Sequence, residues 1–261
     1  EKLLEVQGTL DNGFGNINSH LEIGIPAHLP VNLPGHAPIV ADVSLLLRDS
    51  GLLTVFFPQY VYDSKGEIEL TAAISGTVGE PLISGTAAVH GAELYVPVAG
   101  ILISDIHAAG QLDGQQFNLS TVRMTSDSGT ISGQGHLDLH GWVPGKYHLS
   151  LSGENFQLIN LTDLAVQISP ELVIDGNLES VRVRGSLSLP QVMIENQTRP
   201  QVVQNSPDLV IVERQQTARN ITNFRHDIDV NLVLGEQVLL NVAGLQARVA
   251  GSLRLYSDAQ Q

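Results

Sequence analysis

Asp227-Ile228-Asp229-Val230-Asn231-Leu232-Val233-Leu234 alternates polar and aliphatic residues, with Val233 the one aliphatic at a polar position. Successive side chains of a strand point to opposite faces, so this period of two describes a strand with one wet and one dry face. The same alternation runs through Glu67-Ile68-Glu69-Leu70-Thr71-Ala72-Ala73-Ile74, His136-Leu137-Asp138-Leu139-His140 and Lys146-Tyr147-His148-Leu149-Ser150-Leu151-Ser152. Helical spacing is confined to Leu158, Leu161, Ala165 and Ile168, ahead of Pro170. That stretch reads either as one short helix, stopped by the residue before proline, or as an irregular strand crossing. These patterns predict an all-β chain with at most one short helix.

Turn residues separate the alternating runs: Asp11-Asn12-Gly13, Asp63-Ser64-Lys65-Gly66, Leu112-Asp113-Gly114, Ser126-Asp127-Ser128-Gly129 and Val143-Pro144-Gly145. Short loops of this kind join antiparallel neighbours. A signature of two residues, glycine, one residue and an aliphatic recurs around Gly8, Gly76, Gly110, Gly176, Gly185 and Gly251, with partial copies at Gly85 and Gly133. Glycine inside a strand permits a bend, a bulge or close backbone approach, so the repeats predict a strongly curved sheet; a glycine that marks a hairpin is the alternative. Prolines at 26, 30, 34 and 38 cannot continue a central strand, which makes residues 26–38 an extended crossing or edge. Residues 196–206, with Arg199-Pro200 among Asn and Gln, read as a loop. The organisation expected is residues 1–66 as N-terminal β repeats and 67–261 as a continuation of the same sheet.

Composition excludes several functions. The 261 residues carry 13 Lys and Arg against 27 Asp and Glu, a net charge of −14, whereas phosphate-backbone binding needs clustered cations. There is no cysteine, hence no disulfide, thiolate nucleophile or Cys-ligated zinc. No apolar run approaches the roughly 20 residues of a membrane-spanning helix. The chain opens at Glu1 without a signal pattern and reads as a segment of a longer protein.

Candidate chemistry is sparse. His136, Asp138 and His140 share one strand face, and His148 lies across a hairpin. Nitrogen and oxygen ligands of this kind suit zinc, while a wet outer face backed by Leu137 and Leu139 accounts for the same residues. There is no nucleophile elbow, phosphate-cradling loop or His-Glu-x-x-His, so no enzyme activity and no cofactor are expected. Trp142, the one tryptophan, stands beside Gly141 and reads as a cover at a sheet edge.

The chain resembles the TamB family, of the AsmA-like group of envelope proteins. The resemblance rests on Ser169-Pro170-Glu171-Leu172, Ile174-Asp175-Gly176, Gly185-Ser186-Leu187-Ser188-Leu189-Pro190 and Ser206-Pro207-Asp208-Leu209-Val210-Ile211-Val212. Leu234-Gly235-Glu236-Gln237-Val238, Gly244-Leu245 and Gly251-Ser252-Leu253 extend it, as do Pro81-Leu82-Ile83-Ser84-Gly85, Val96-Pro97 and Ile131-Ser132-Gly133-Gln134-Gly135 in the middle. It covers residues 67–256, with residues 1–66 similar in general style.

The resemblance implies an elongated, curled antiparallel sheet folded like a taco, an open groove with an aliphatic interior. It implies a periplasmic setting, an inner-membrane anchor helix outside this internal stretch, a TamA-like outer-membrane partner of the Omp85 type, and roles in outer-membrane protein assembly and phospholipid transport. The partners expected are phospholipid acyl chains, that Omp85 protein, nascent outer-membrane proteins at open strand edges, and a second copy of the chain. Strand parity assigns the groove lining to Ile68, Leu70, Ile74, Leu119, Leu137, Leu139, Leu149, Leu151, Val181, Val183, Leu187, Leu189, Ile228, Val230, Leu232, Leu234, Leu253 and Leu255. Each strand's parity is independent, because a slip of one residue exchanges its faces.

Overall fold

The computed structural model describes residues 2–12, 15–25, 35–48, 62–196, 225–242 and 245–257. They form fifteen strands and no helix. The first five are β1 (Lys2–Asn12), β2 (Gly15–Ile25), β3 (Ile39–Arg48), β4 (Tyr62–Gly76) and β5 (Pro81–Val96). The next five are β6 (Ile101–Gly114), β7 (Gln116–Ser126), β8 (Gly129–His140), β9 (Val143–Glu154) and β10 (Phe156–Asn160). The last five are β11 (Leu164–Gly176), β12 (Ser180–Asn196), β13 (Arg225–Val242), β14 (Leu245–Arg248) and β15 (Gly251–Ser257). All belong to one large curved sheet that stays open. Neighbours pair in chain order from β1 to β9; then come β11, β12 and β13, with β14 and β15 both on β13 and β10 on β11.

Of the two readings of the stretch with helical spacing the strand one holds, and three local expectations are corrected. The stretch with helical spacing forms β10 and the start of β11, joined by a short turn. Pro170 sits inside β11 where its missing N–H is harmless: β10 pairs with residues 165–168 of β11 and β9 with residues 171–176, so the change of neighbour falls at the proline. The sheet departs from antiparallel once, at β12–β13, which run parallel from Ser180↔Arg225 to Asn196↔Val242. A parallel pair needs a crossover of about a dozen residues or more, and residues 197–224 provide that length. Asp63–Gly66 is no turn but a bulged part of β4, and the β8–β9 turn falls at Gly141-Trp142, with Pro144 already in β9. The remaining turn signals lie where expected: β6 and β7 meet at Asp113↔Gln116, β7 and β8 at Ser126↔Gly129. Most of the proline-rich crossing and the loop at 196–206 fall outside the described residues.

Glycines sit where neighbouring backbone closes in. A Cβ at Gly85 would strike the Thr71 carbonyl, and one at Gly185, whose φ is +135°, would strike that of Glu171. Both are interior strand positions, so these copies of the signature allow close approach, whereas Gly76, Gly176 and Gly251 stand at strand ends.

Curvature brings turns together that are far apart in sequence. Along one rim, the Trp142 indole N–H donates to the Val78 carbonyl at 2.8 Å, joining the β8–β9 turn to the β4–β5 turn past the hairpin between them. The β4–β5 turn also takes in the segment before β3, through Val78 N–H to Ala37 carbonyl at 2.9 Å and Gly79 N–H to Gly35 carbonyl at 2.7 Å. A small core lies there, with Ile23, Ala37 and Ile39 buried against Leu21, Ile74 and Val78. Along the other rim, Asn160 N–H donates to the Ala99 carbonyl at 2.8 Å. Phe156, Ile101 and Ile168 are buried, and the Gln157 amide is satisfied by the Ile159 and Val166 carbonyls and by Gln167. Loss of the indole donor in Trp142→Phe is expected to lower stability by about 0.5–1.5 kcal/mol, as measured by urea unfolding.

Candidate functional site

Directly paired residues on neighbouring strands point to the same face, so the register carries one face from strand to strand. Starting at Leu10, one row runs Ile17, Leu45, Leu70, Ala87, Gly110 and Leu119. It continues through Gly135, Leu149, Ile174, Val183 and Ile228. Twelve strands contribute one residue each, and none is polar. The adjacent row begins at Thr9 and runs Asn18, Ser44, Thr71, Thr86, Gln111 and Asn118. It ends with His136, His148, Asp175, Arg182 and Asp227, all polar. The sheet therefore has one aliphatic face and one polar face along its whole length.

All eighteen residues assigned from strand parity fall on the aliphatic face: Ile68, Leu70 and Ile74 on β4, Leu119 on β7, Leu137 and Leu139 on β8, Leu149 and Leu151 on β9. Val181, Val183, Leu187 and Leu189 on β12 oppose His226, Ile228, Leu232 and Leu234 on β13. Val230 opposes Gly185 on β12 and Leu255 on β15, and Leu253 opposes Leu232. Val230 is buried and fifteen others are half-buried, whereas Leu253 and Leu255 on the last strand are exposed by 58% and 51%.

The same face holds residues that parity reading passed over. Ile17, Leu21 and Ile23 on β2 share it, their alternation broken only by Ser19, and so do Leu172 and Ile174 on β11, obscured by Val173 on the polar side. Following parity through one polar or one misplaced aliphatic position would have found them.

The polar face is held by cross-strand pairs. Arg254 grips Asp229 with two hydrogen bonds, 2.7 Å from Nε and 2.9 Å from Nη2. That contact holds the Asp229 carboxyl below its ordinary value and raises the Arg254 guanidinium; desolvation opposes the shift at Asp229, and the charges of Arg254 and then Arg184 add to it. Arg182 Nε donates to Asp227 at 2.6 Å, and Gln116 to Asp138 at 3.0 Å. His148 Nδ1 lies 2.7 Å from Asp175, and its Nε2 lies 3.3 Å from the Ser150 hydroxyl. The His148 ring stacks on His136, with centroids 5.5 Å apart. The ligand atoms of His136, Asp138, His140 and His148 do not gather as a metal would require; among the described residues that closeness occurs at Glu5, His20 and Glu22 on the polar face of β1 and β2.

No helix among the described residues is long and apolar enough to cross a membrane. A family model described as the TamB C-terminal domain matches residues 120–261, more than half of the chain. No curated protein and no solved structure matches.

Because the Asp229 carboxyl titrates lower in the folded chain than the ordinary 3.8, its pairing stabilises the fold above that pH and is lost as pH falls through the folded value. Asp229→Asn should therefore melt below the wild type at neutral pH, with the gap in melting temperature closing below pH 3.8.

Proposed function

Since the chain belongs to the TamB family, a non-enzymatic transport and assembly family that spans the periplasm and is associated with TamA-type partners, we propose that its aliphatic face carries phospholipid acyl chains through the periplasm between inner and outer membrane. The observation that carries this reading is the unbroken apolar row from Leu10 to Ile228, on a sheet that curves without closing. An acyl chain gains about 0.8 kcal/mol per methylene removed from water, so a chain of about sixteen carbons gains on the order of 12 kcal/mol without any directional contact. A uniform aliphatic strip lets the chain slide, because one position resembles the next. The polar face keeps the outer side of the sheet wetted, and no reaction chemistry is required of it. In this reading an Omp85-type partner receives the cargo at the outer membrane.

A photoreactive residue at Leu139 or Leu232 is expected to capture phospholipid in the periplasm, and one at Thr71 or Asn231 on the polar face is not. Equal capture from both faces defeats the reading. Leu139→Arg is expected to abolish lipid transfer while circular dichroism still reports a β-sheet, because one charge interrupts the strip.

A second reading follows from the sheet's ends. Among the described residues β15 pairs only with β13, and β1 only with β2, and the backbone donors and acceptors on the other side of each strand suit strand addition by a nascent outer-membrane protein, an Omp85 partner or another copy. Capture of barrel precursors that survives Leu139→Arg favours this reading over lipid carriage.

A further inference from the structure

On the polar face, where β8, β9, β11, β12 and β13 end at one rim, a hollow of about 620 Å³ holds Lys146, Arg182 and Arg225. Beside these three cations stand three carboxylates, Asp138, Asp175 and Asp227, so the hollow is formally neutral within a chain that carries −14 as a whole. Most of the anions beside them are already engaged: Asp175 by His148, Asp138 by Gln116, and one oxygen of Asp227 by Arg182. The cations are not. Lys146 and Arg225 have no side-chain hydrogen bond or ion pair among the described residues, and Arg182 uses only Nε, leaving both terminal nitrogens of its fork.

The turn at the floor adds another donor. Asn177 Oδ1 accepts from Glu179 N–H at 2.8 Å, Ser180 N–H at 2.9 Å and the Ser180 hydroxyl at 3.1 Å. Backbone N–H groups only donate, so the atom they meet is the amide oxygen, and the Asn177 NH₂ is left as an unused donor. Among the described residues the hollow thus keeps several donors without a partner on a fixed frame, which suits an anion with several acceptor oxygens; Arg and Lys around a phosphate meet that description.

Position says which phosphate. Tyr147, Gly176 and Val181, which also border the hollow, form one cross-strand row on the aliphatic face. The cationic residues are their immediate chain neighbours or lie one step further toward the rim. A group in the hollow is therefore separated from the aliphatic face only by the strand ends and the turn at Asn177–Glu179. We propose that the hollow is a phosphate site for glycerophospholipid headgroups, whose acyl chains lie over the rim on the aliphatic face. The phosphate chemistry stands on the hollow itself, and the lipid source rests on the function proposed above. A headgroup station at the rim would set the depth of each lipid and hold its charge off the acidic part of the outer face.

The test titrates the 261-residue chain with glycerol 3-phosphate, inorganic phosphate and glycerol, at constant ionic strength, and follows the His148 ring and Arg182 side-chain NMR signals. Both are moved by glycerol 3-phosphate and not by glycerol, and Lys146→Gln combined with Arg225→Gln weakens the binding by about ten-fold or more. Both substituted residues are exposed, so the variant keeps its fold. No binding, or unchanged binding to the double variant, overturns the proposal. A photoreactive phosphatidylglycerol captured at Leu139 then separates the sources. Capture reduced in the double variant supports the headgroup site. Capture unchanged, with inorganic phosphate binding as tightly as glycerol 3-phosphate, assigns the hollow to free phosphate and overturns the headgroup reading. No capture at all, with binding of glycerol 3-phosphate intact, leaves the phosphate site standing and sinks acyl-chain carriage instead.

Discussion

The cross-strand ladder is the constraint on which everything else in this protein depends. Each pair of opposed residues shares a face, so thirteen strands in succession must agree in parity or the aliphatic strip breaks. A single slip would carry a whole strand's leucines into water. The register shifts that do occur are placed where they do no such harm: around Val89–Leu94, Leu119–Val122 and Leu137–Leu139 the strand resumes with its aliphatic residues on the same side. The ladder also accounts for the weakness of any conventional core. Few of the described side chains are buried, and most of the aliphatic face is half-buried, because the described strands form one curved sheet and no second sheet among them packs against it.

Small residues make that bend possible. Gly85, Ala87, Gly110, Gly133, Gly135 and Gly185 all lie on the aliphatic face, where they remove bulk from one side of the sheet. A Cβ at Gly110 would meet the Phe117 ring, and one at Gly133 the Leu151 and Val122 side chains, so the space left by each glycine is filled by a neighbour on the same face. The rims are then secured by a few backbone-directed hydrogen bonds between turns that the chain order separates, of which Trp142 to Val78 spans the greatest sequence distance. Curvature, lining and rim contacts are thus one solution to a single problem, a dry sheet face that no other layer of the described residues covers.

Much of this was legible beforehand. The alternation in Asp227–Leu234 and Glu67–Ile74 identified both the strands and their dry sides, because solvent exposure imposes a period of two wherever one face is wet. It failed where one position broke the rhythm, as at Ser19 in β2 and Val173 in β11, and where helical spacing arose by chance in Leu158–Ile168. There the choice between helix and strand was made by strand pairing: β10 and β12 flank the start of β11 ahead of Pro170. The hollow at the rim had no sequence signature, since Lys146, Arg182 and Arg225 lie on three strands whose adjacency depends on the pairing order.

By itself the sequence determined the all-β class, the two-faced character of the strands, the absence of cysteine chemistry and the family. These follow from local periodicity and composition, which a chain carries whether or not it is folded. Only the tertiary structure decided that every strand's dry side joins the same face, that β12 and β13 run parallel, that Trp142 closes on the β4–β5 turn, and which histidine takes Asp175. Each of these is a meeting of residues distant in the chain, and the order and direction of strand pairing that brings them together is set by the whole sheet at once.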